Sequence, residues 1–175
     1  GAQRSASSPP KVELHVHFDG SFDNRVLYQE AKKDLSIVDA RQQMMVQNCQ
    51  SYEDFVRLVT CKGKRSLTAM LGSFDIFIPI VRGNYELLEK LAYNFVQSQA
   101  EQNIIYTEVR YSPQLLCRGG AYESDGAQDA IDGTLVVEAV TRGLRRGEQD
   151  FDVIVNQILC CLSFRPDWAL DTVKL

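Results

Sequence analysis

The chain has 175 residues, enough for one domain with a sizeable core. Hydrophobic residues make up 45% and charged residues 24%, the balance of an ordinary globular protein. A net charge of −4 and a pI near 5.2 argue against a surface for nucleic-acid phosphates or anionic membrane, and no stretch is apolar and long enough for membrane insertion.

Residues 1–10 read as a disordered tail, with no apolar run of the kind a signal peptide needs. Residues 11–17 are predicted to form the first strand. A helix is expected over 23–33, with Ser21 or Asp23 as its cap. Residues 34–50 show no clear period. Ser51 followed by Asp54 is a capping pattern, and Phe55, Leu58 and Val59 come next at helical spacing. A short helix is read over 67–74, ahead of Pro79.

From Asn84 the pattern is clearer. Leu88, Leu91, Ala92, Phe95 and Val96 form one apolar stripe, so a helix is predicted to end near Asn103. Residues 104–111 are rich in β-branched and aromatic side chains and read as a strand. Residues 112–133 have several glycines and no period, and read as a long loop. A helix over 135–148, a strand over 151–162 and a helix opened by Pro166-Asp167-Trp168 complete the series.

The cysteines are Cys49, Cys61, Cys117, Cys160 and Cys161. Their odd number and irregular spacing argue against a disulfide framework. Buried thiols in a reducing, cytoplasmic setting are expected. The adjacent pair Cys160 and Cys161 would face opposite sides of a strand and make a poor joint metal site. The basic clusters at 62–65 and 142–146 read as solvated faces or helix ends.

The alternating order of strands and helices predicts an α/β fold with parallel strands and crossover helices. Three strands take up the whole chain, whereas a closed (β/α)8 barrel typically needs about 250 residues. The chain therefore reads as the first part of something larger. An open sheet with helices on both faces is the alternative, but no glycine-rich dinucleotide fingerprint follows the first strand.

Both histidines of the chain lie in Glu13-Leu14-His15-Val16-His17-Phe18-Asp19-Gly20. On a strand, residues i and i+2 share a face, so His15 and His17 would point the same way with Cα atoms roughly 6–7 Å apart. Two imidazoles so placed can reach one cation at about 2.0–2.1 Å each. Val12, Leu14 and Val16 would then fill the other face. A decorative pair on a half-exposed strand is the plain alternative, but a carboxylate and a turn glycine follow at once, where the strand runs out into a loop.

Three segments carry a resemblance. The run from Pro10 to Gly20 resembles the opening strand of the adenosine deaminases, metal-dependent amidohydrolase-like barrels. Thr107-Glu108-Val109-Arg110-Tyr111-Ser112-Pro113 is similar to their second strand and its loop. Ile158-Leu159-Cys160-Cys161, followed by Pro166-Asp167-Trp168, is similar to the third. The likeness runs from Pro10 to the last residue. Glu-Val-Arg-Tyr-Ser-Pro favours this branch over relatives acting on methylated nucleotides or free adenine. The resemblance implies that residues 11–175 are the N-terminal part of a single TIM-type (β/α)8 barrel domain, about three of its eight strands.

The resemblance also implies a reaction: zinc-dependent hydrolytic deamination of adenosine, and of 2′-deoxyadenosine, to inosine in purine salvage. The partner would be a small-molecule purine nucleoside. His15 and His17 match the first two ligands of Zn2+. Asp19 matches a residue holding the ribose 5′ hydroxyl, and His17 also lies beside the substrate. Met70 and Phe74, at i and i+4, fall where the family lids its pocket with apolar side chains. Three departures stand out: Phe18 replaces the usual leucine, Gln114 a frequent histidine, and Ser163-Phe164 a frequent basic pair that Arg165 would partly replace.

The family's remaining zinc ligands, its general-acid glutamate and its catalytic histidine come from later strands, so no catalytic residue is expected in this chain. On its own the fragment is expected to be inactive and, with two unpaired sheet edges, poorly folded. A cytidine-type zinc deaminase would need H-x-E and P-C-x-x-C, and neither is present. The other reading is a non-catalytic truncated product acting as an interaction or regulatory fragment.

Overall fold

The computed structural model describes residues 9–33, 40–61, 66–117 and 133–175. The elements run β1 (Lys11–His17), α1 (Asn24–Ala31), α2 (Ala40–Gln47), α3 (Tyr52–Val59), α4 (Leu67–Val81), α5 (Tyr85–Glu101), β2 (Ile104–Tyr111), α6 (Pro113–Leu116), α7 (Thr134–Phe151), β3 (Ile154–Leu159) and α8 (Ala169–Lys174), the last entered through a 3-10 turn at Pro166–Trp168. The tail before Pro9, the basic cluster at 62–65 and most of the glycine-rich loop lie outside the described residues. The chain divides into two compact units, Gly1–Phe22 with Gly83–Leu175, and Asp23–Arg82.

In the first unit the strands form one parallel sheet in the order β1-β2-β3. The crossovers are α5 and α7, as the alternation of elements predicts. Asn84 caps α5 by accepting the Leu87 N–H at 3.1 Å. The apolar stripe of α5 is buried from Leu87 to Ala100. It meets the buried face of α7, built from Val136, Ala139, Val140, Gly143, Leu144 and Gly147. A Cβ at Gly147 would stand 2.6 Å from that of Val96, and one at Gly143 would stand 2.7 Å from that of Ala92 and collide with the Glu89 carbonyl. The two helices thus approach at a distance only glycine permits.

Chain reversals at the sheet use left-handed residues. Asn103, at φ 59°, ends the α5 region, and its carbonyl accepts the Lys11 N–H that opens β1. Asp152, at φ 54°, ends α7. This corrects the expected third strand. Phe151 belongs to the helix, where its ring packs 5.2 Å from that of Tyr93, and β3 starts only at Ile154.

The strand faces also differ from expectation on one side. Val12 and Leu14 are each 57% exposed and fill no interior. The reason is their position on an edge strand: α5 packs on β2 and α7 on β3. On β2 the alternation is clean. Thr107, Val109 and Tyr111 are buried, while Tyr106, Glu108 and Arg110 are half-buried on the opposite face.

The second unit is helical. Asp23, not Ser21, caps α1, accepting from the N–H groups of Arg25 and Val26 at 2.8 and 3.3 Å. Ser51 and Asp54 form a reciprocal capping box at the start of α3. Tyr28 meets Tyr52 edge-on at 5.8 Å and lies tilted against Phe55 at 5.4 Å, joining α1 to α3. No apolar period in the sequence announces α2. The helix expected to stop at Phe74 continues to Val81 through Pro79. Proline inside a helix costs about 3 kcal/mol. Ile76, Phe77, Ile78, Ile80 and Val81 are buried along that stretch, and each contributes about 1.5–3 kcal/mol. Burial wins, and Pro79 removes one bond in the last turn.

None of the five cysteines forms a disulfide. Cys117 is buried as expected, but Cys49, Cys61 and Cys160 are half-buried and Cys161 is exposed. Among the described residues no helix is long and apolar enough to cross a membrane.

Candidate metal centre

The C-terminal ends of β1 and β2 bring the candidate side chains together. The His15 and His17 rings lie 5.4 Å apart between centroids, tilted by 34°. They share a face, as strand geometry predicts. The His17 side chain is 55% exposed, so its ring opens away from the core.

A tight turn follows. The His17 carbonyl accepts the Gly20 N–H at 3.2 Å and the Ser21 hydroxyl at 2.7 Å, and the Phe18 carbonyl accepts the Ser21 N–H at 3.0 Å. Phe18 is fully buried, its ring edge-on to Phe22, Phe95 and Tyr111 at 5.0, 6.4 and 5.7 Å. With Phe18 pinned in the core, Asp19 is drawn in with it. Asp19 is 7% exposed, and its Oδ1 stands 3.8 Å from His17 Nδ1, too far for a hydrogen bond. That oxygen is buried and has no hydrogen-bond partner among the described residues. Burial pushes the Asp19 carboxyl above the usual range, while His17 and the backbone N–H groups of Asp19 and Gly20 act against the shift. A buried carboxylate oxygen without a partner is costly.

Pairing places Arg110 of β2 beside His17, and the Arg110 carbonyl accepts the Phe18 N–H at 2.9 Å. On the same face Asn156 of β3 donates to the Tyr106 hydroxyl, which donates to Glu108 Oε1, both at 2.9 Å. Read from sequence alone, Glu108 and Arg110 stand only within a motif and this polar face goes unnoticed. Its signal was there: Tyr106, Glu108 and Arg110 recur at period two. Beyond β3, burial pushes the Cys160 thiol up, with Arg110 opposing the shift.

The loop residues that depart from the family pattern have structural partners. Gln114 is buried and donates to Thr172 Oγ1 at 2.8 Å, tying α6 to α8. Arg165 pairs with Asp167 at 2.8 Å and lies over the Trp168 ring, while Phe164 is exposed. Met70 and Phe74 lie one turn apart on α4, in the second unit. Met70 is 43% exposed, and the half-buried Phe74 packs 4.8 Å from Phe77.

As a donor set, His15 and His17 offer two imidazoles on one face, which suits zinc. They make half of a tetrahedral shell, and among the described residues no group of three metal-ligating side chains gathers anywhere.

A three-strand parallel sheet with crossover helices is the architecture of the opening part of a (β/α)8 barrel, and the histidine pair stands where its first strand ends. Solved structures share the fold. A Burkholderia ambifaria amidohydrolase with bound Zn matches with TM-score 0.58 and 18% identity, over 86% of this chain and 35% of that one. Arabidopsis ADAL complexed with IMP matches with TM-score 0.61 and 22% identity, over 94% and 44%. The adenosine deaminase family model matches residues 10–175, and mouse adenosine deaminase is 34% identical over 99% of this chain. The chain belongs to the adenosine deaminase family and corresponds to the N-terminal half of its barrel. It spans 47% of the mouse relative's length.

Proposed function

We propose that the protein to which this chain contributes the first barrel strands deaminates adenosine and 2′-deoxyadenosine hydrolytically, in purine salvage in the cytoplasm. The observation that carries this reading is the convergence of His15 and His17 beside the unpartnered buried oxygen of Asp19. His15 and His17 would hold a zinc ion. When bound, that ion supplies the Lewis acidity that makes water nucleophilic near neutral pH. Asp19 Oδ1 accepts a hydrogen bond from the ribose 5′ hydroxyl, which satisfies the orphan and orients the nucleoside. The Zn of the Burkholderia structure and the IMP of the Arabidopsis one support a metal and a purine ligand.

The test is direct. The full-length protein loaded with zinc is expected to release ammonia from adenosine, and His15→Ala or His17→Ala is expected to remove both metal and turnover. Turnover without metal, or full metal content in His17→Ala, overturns the assignment. The 175-residue chain alone has two histidines, so it is expected to bind zinc weakly and to convert no adenosine.

A further inference from the structure

Between Glu13 and Val16 the pairing of β1 with β2 slips. Three steps along β1 run against two along β2, from Thr107 to Val109. Such a bulge leaves backbone groups outside the ladder and turns the strand locally. It lies at the Leu14–His15 peptide, immediately before the first histidine. The Leu14 carbonyl is taken by Arg110, whose Nη2 donates to it at 3.1 Å. The same Arg110 stands beside His17 in the pairing, and its carbonyl holds the Phe18 N–H at 2.9 Å. One residue of β2 therefore grips β1 on both sides of the His-x-His segment. Its side chain fixes the peptide that leads into His15. Its backbone fixes the peptide that leaves His17. The bond to the Leu14 carbonyl is exposed, while Arg110 Nε is buried with no hydrogen-bond partner among the described residues.

We propose that Arg110 is a positioning residue for the metal pair. Its guanidinium locks the bulged peptide in the orientation that makes the His15 ring converge on His17. The strand alone does not set that orientation, because a bulge gives the Leu14–His15 peptide freedom that a regular ladder would remove. Arginine suits the task because its planar fork can hold a carbonyl while its charge stays fixed. The proposal rests on the reading of His15 and His17 as zinc ligands, and it predicts a defect in metal affinity before any defect in chemistry.

The experiment uses the full-length protein and three variants. Zinc affinity is measured by chelator competition, and ligand geometry by the visible spectrum of the cobalt-substituted protein. Arg110→Met is expected to weaken zinc by roughly tenfold or more, the range for groups that orient metal ligands. Its cobalt spectrum should change. Arg110→Lys, which keeps the charge and one donor, should fall between Arg110→Met and the parent. His17→Ala should lose the metal outright. If His17→Ala keeps its zinc, the metal reading itself fails. If His17→Ala loses zinc while Arg110→Met binds it as the parent does with an unchanged cobalt spectrum, the positioning role is overturned. Should Arg110→Met fail to fold, Arg110→Lys decides: faster zinc release with the metal-free melting temperature unchanged supports the role, and parental release overturns it.

Discussion

In the sheet unit, the backbone of α7 at Gly143 and Gly147 lies directly against the Glu89 carbonyl, Ala92 and Val96 of α5. In the helical unit, α1 and α3 are joined by packed rings, Tyr28 against Tyr52 and Phe55. The first kind of contact fixes spacing tightly and tolerates no added atom. The second fills space with large side chains and is lost mainly by deletion. The candidate ligands and Arg110 lie in the unit built by close approach. Sub-ångström placement of β1 against β2 matters there, because two imidazoles must meet one ion.

The largest expected effect comes from removing each unit's buried ring. Phe18→Ala should cost about 3–5 kcal/mol and strip hydrogen-exchange protection from β1 and β2. Phe55→Ala should cost a similar amount, with the loss centred on α1 and α3. If each substitution exposes both units equally, the division is not energetic and the contrast breaks down.

A smaller effect sharpens it. Gly143→Ala should destabilise by roughly 1–3 kcal/mol, since the new methyl meets the Glu89 carbonyl. Gly72→Ala in α4, with open space around the Cβ position, should instead stabilise by up to about 1 kcal/mol. Thermal melts of the two variants should move in opposite directions, and a shared sign would refute the close-approach account.

The smallest effect is a pH dependence confined to the helical unit. Hydrogen bonds, first from Ser51 and then from Arg57, hold the Asp54 carboxyl below the usual aspartate range. Its folded pKa is depressed, so its contribution is complete above about pH 4 and fades as the pH falls through the folded value. Exchange protection across α3 should therefore weaken on acidification, and Asp54→Asn should flatten that slope. A slope that survives the substitution assigns it to other carboxylates.

Local chemistry made much of this legible. The capping box at Ser51 and Asp54 needs only residues three apart, and the α5 stripe needs only its period. The same face for His15 and His17 follows from the two-residue repeat of a strand. The misses came where distant burial outweighed local preference. Pro79 signals a break, yet the buried apolar run around it carries α4 through. Phe151 has strand propensity, but its packing on Tyr93 keeps it helical. The unexpected exposure of Val12 and Leu14 depends on which strand forms an edge, which no local window contains.

By itself the sequence determined the alternation of strands and helices, the face of the histidine pair and the turn after it, because each is set within a few residues by backbone geometry. Only the tertiary structure decided that Asp19 is buried with an unanswered oxygen, that β1 bulges before His15, and that Arg110, 96 residues away in the chain, takes the Leu14 carbonyl. These depend on strand register, and register is fixed by how whole faces pack, not by any one segment.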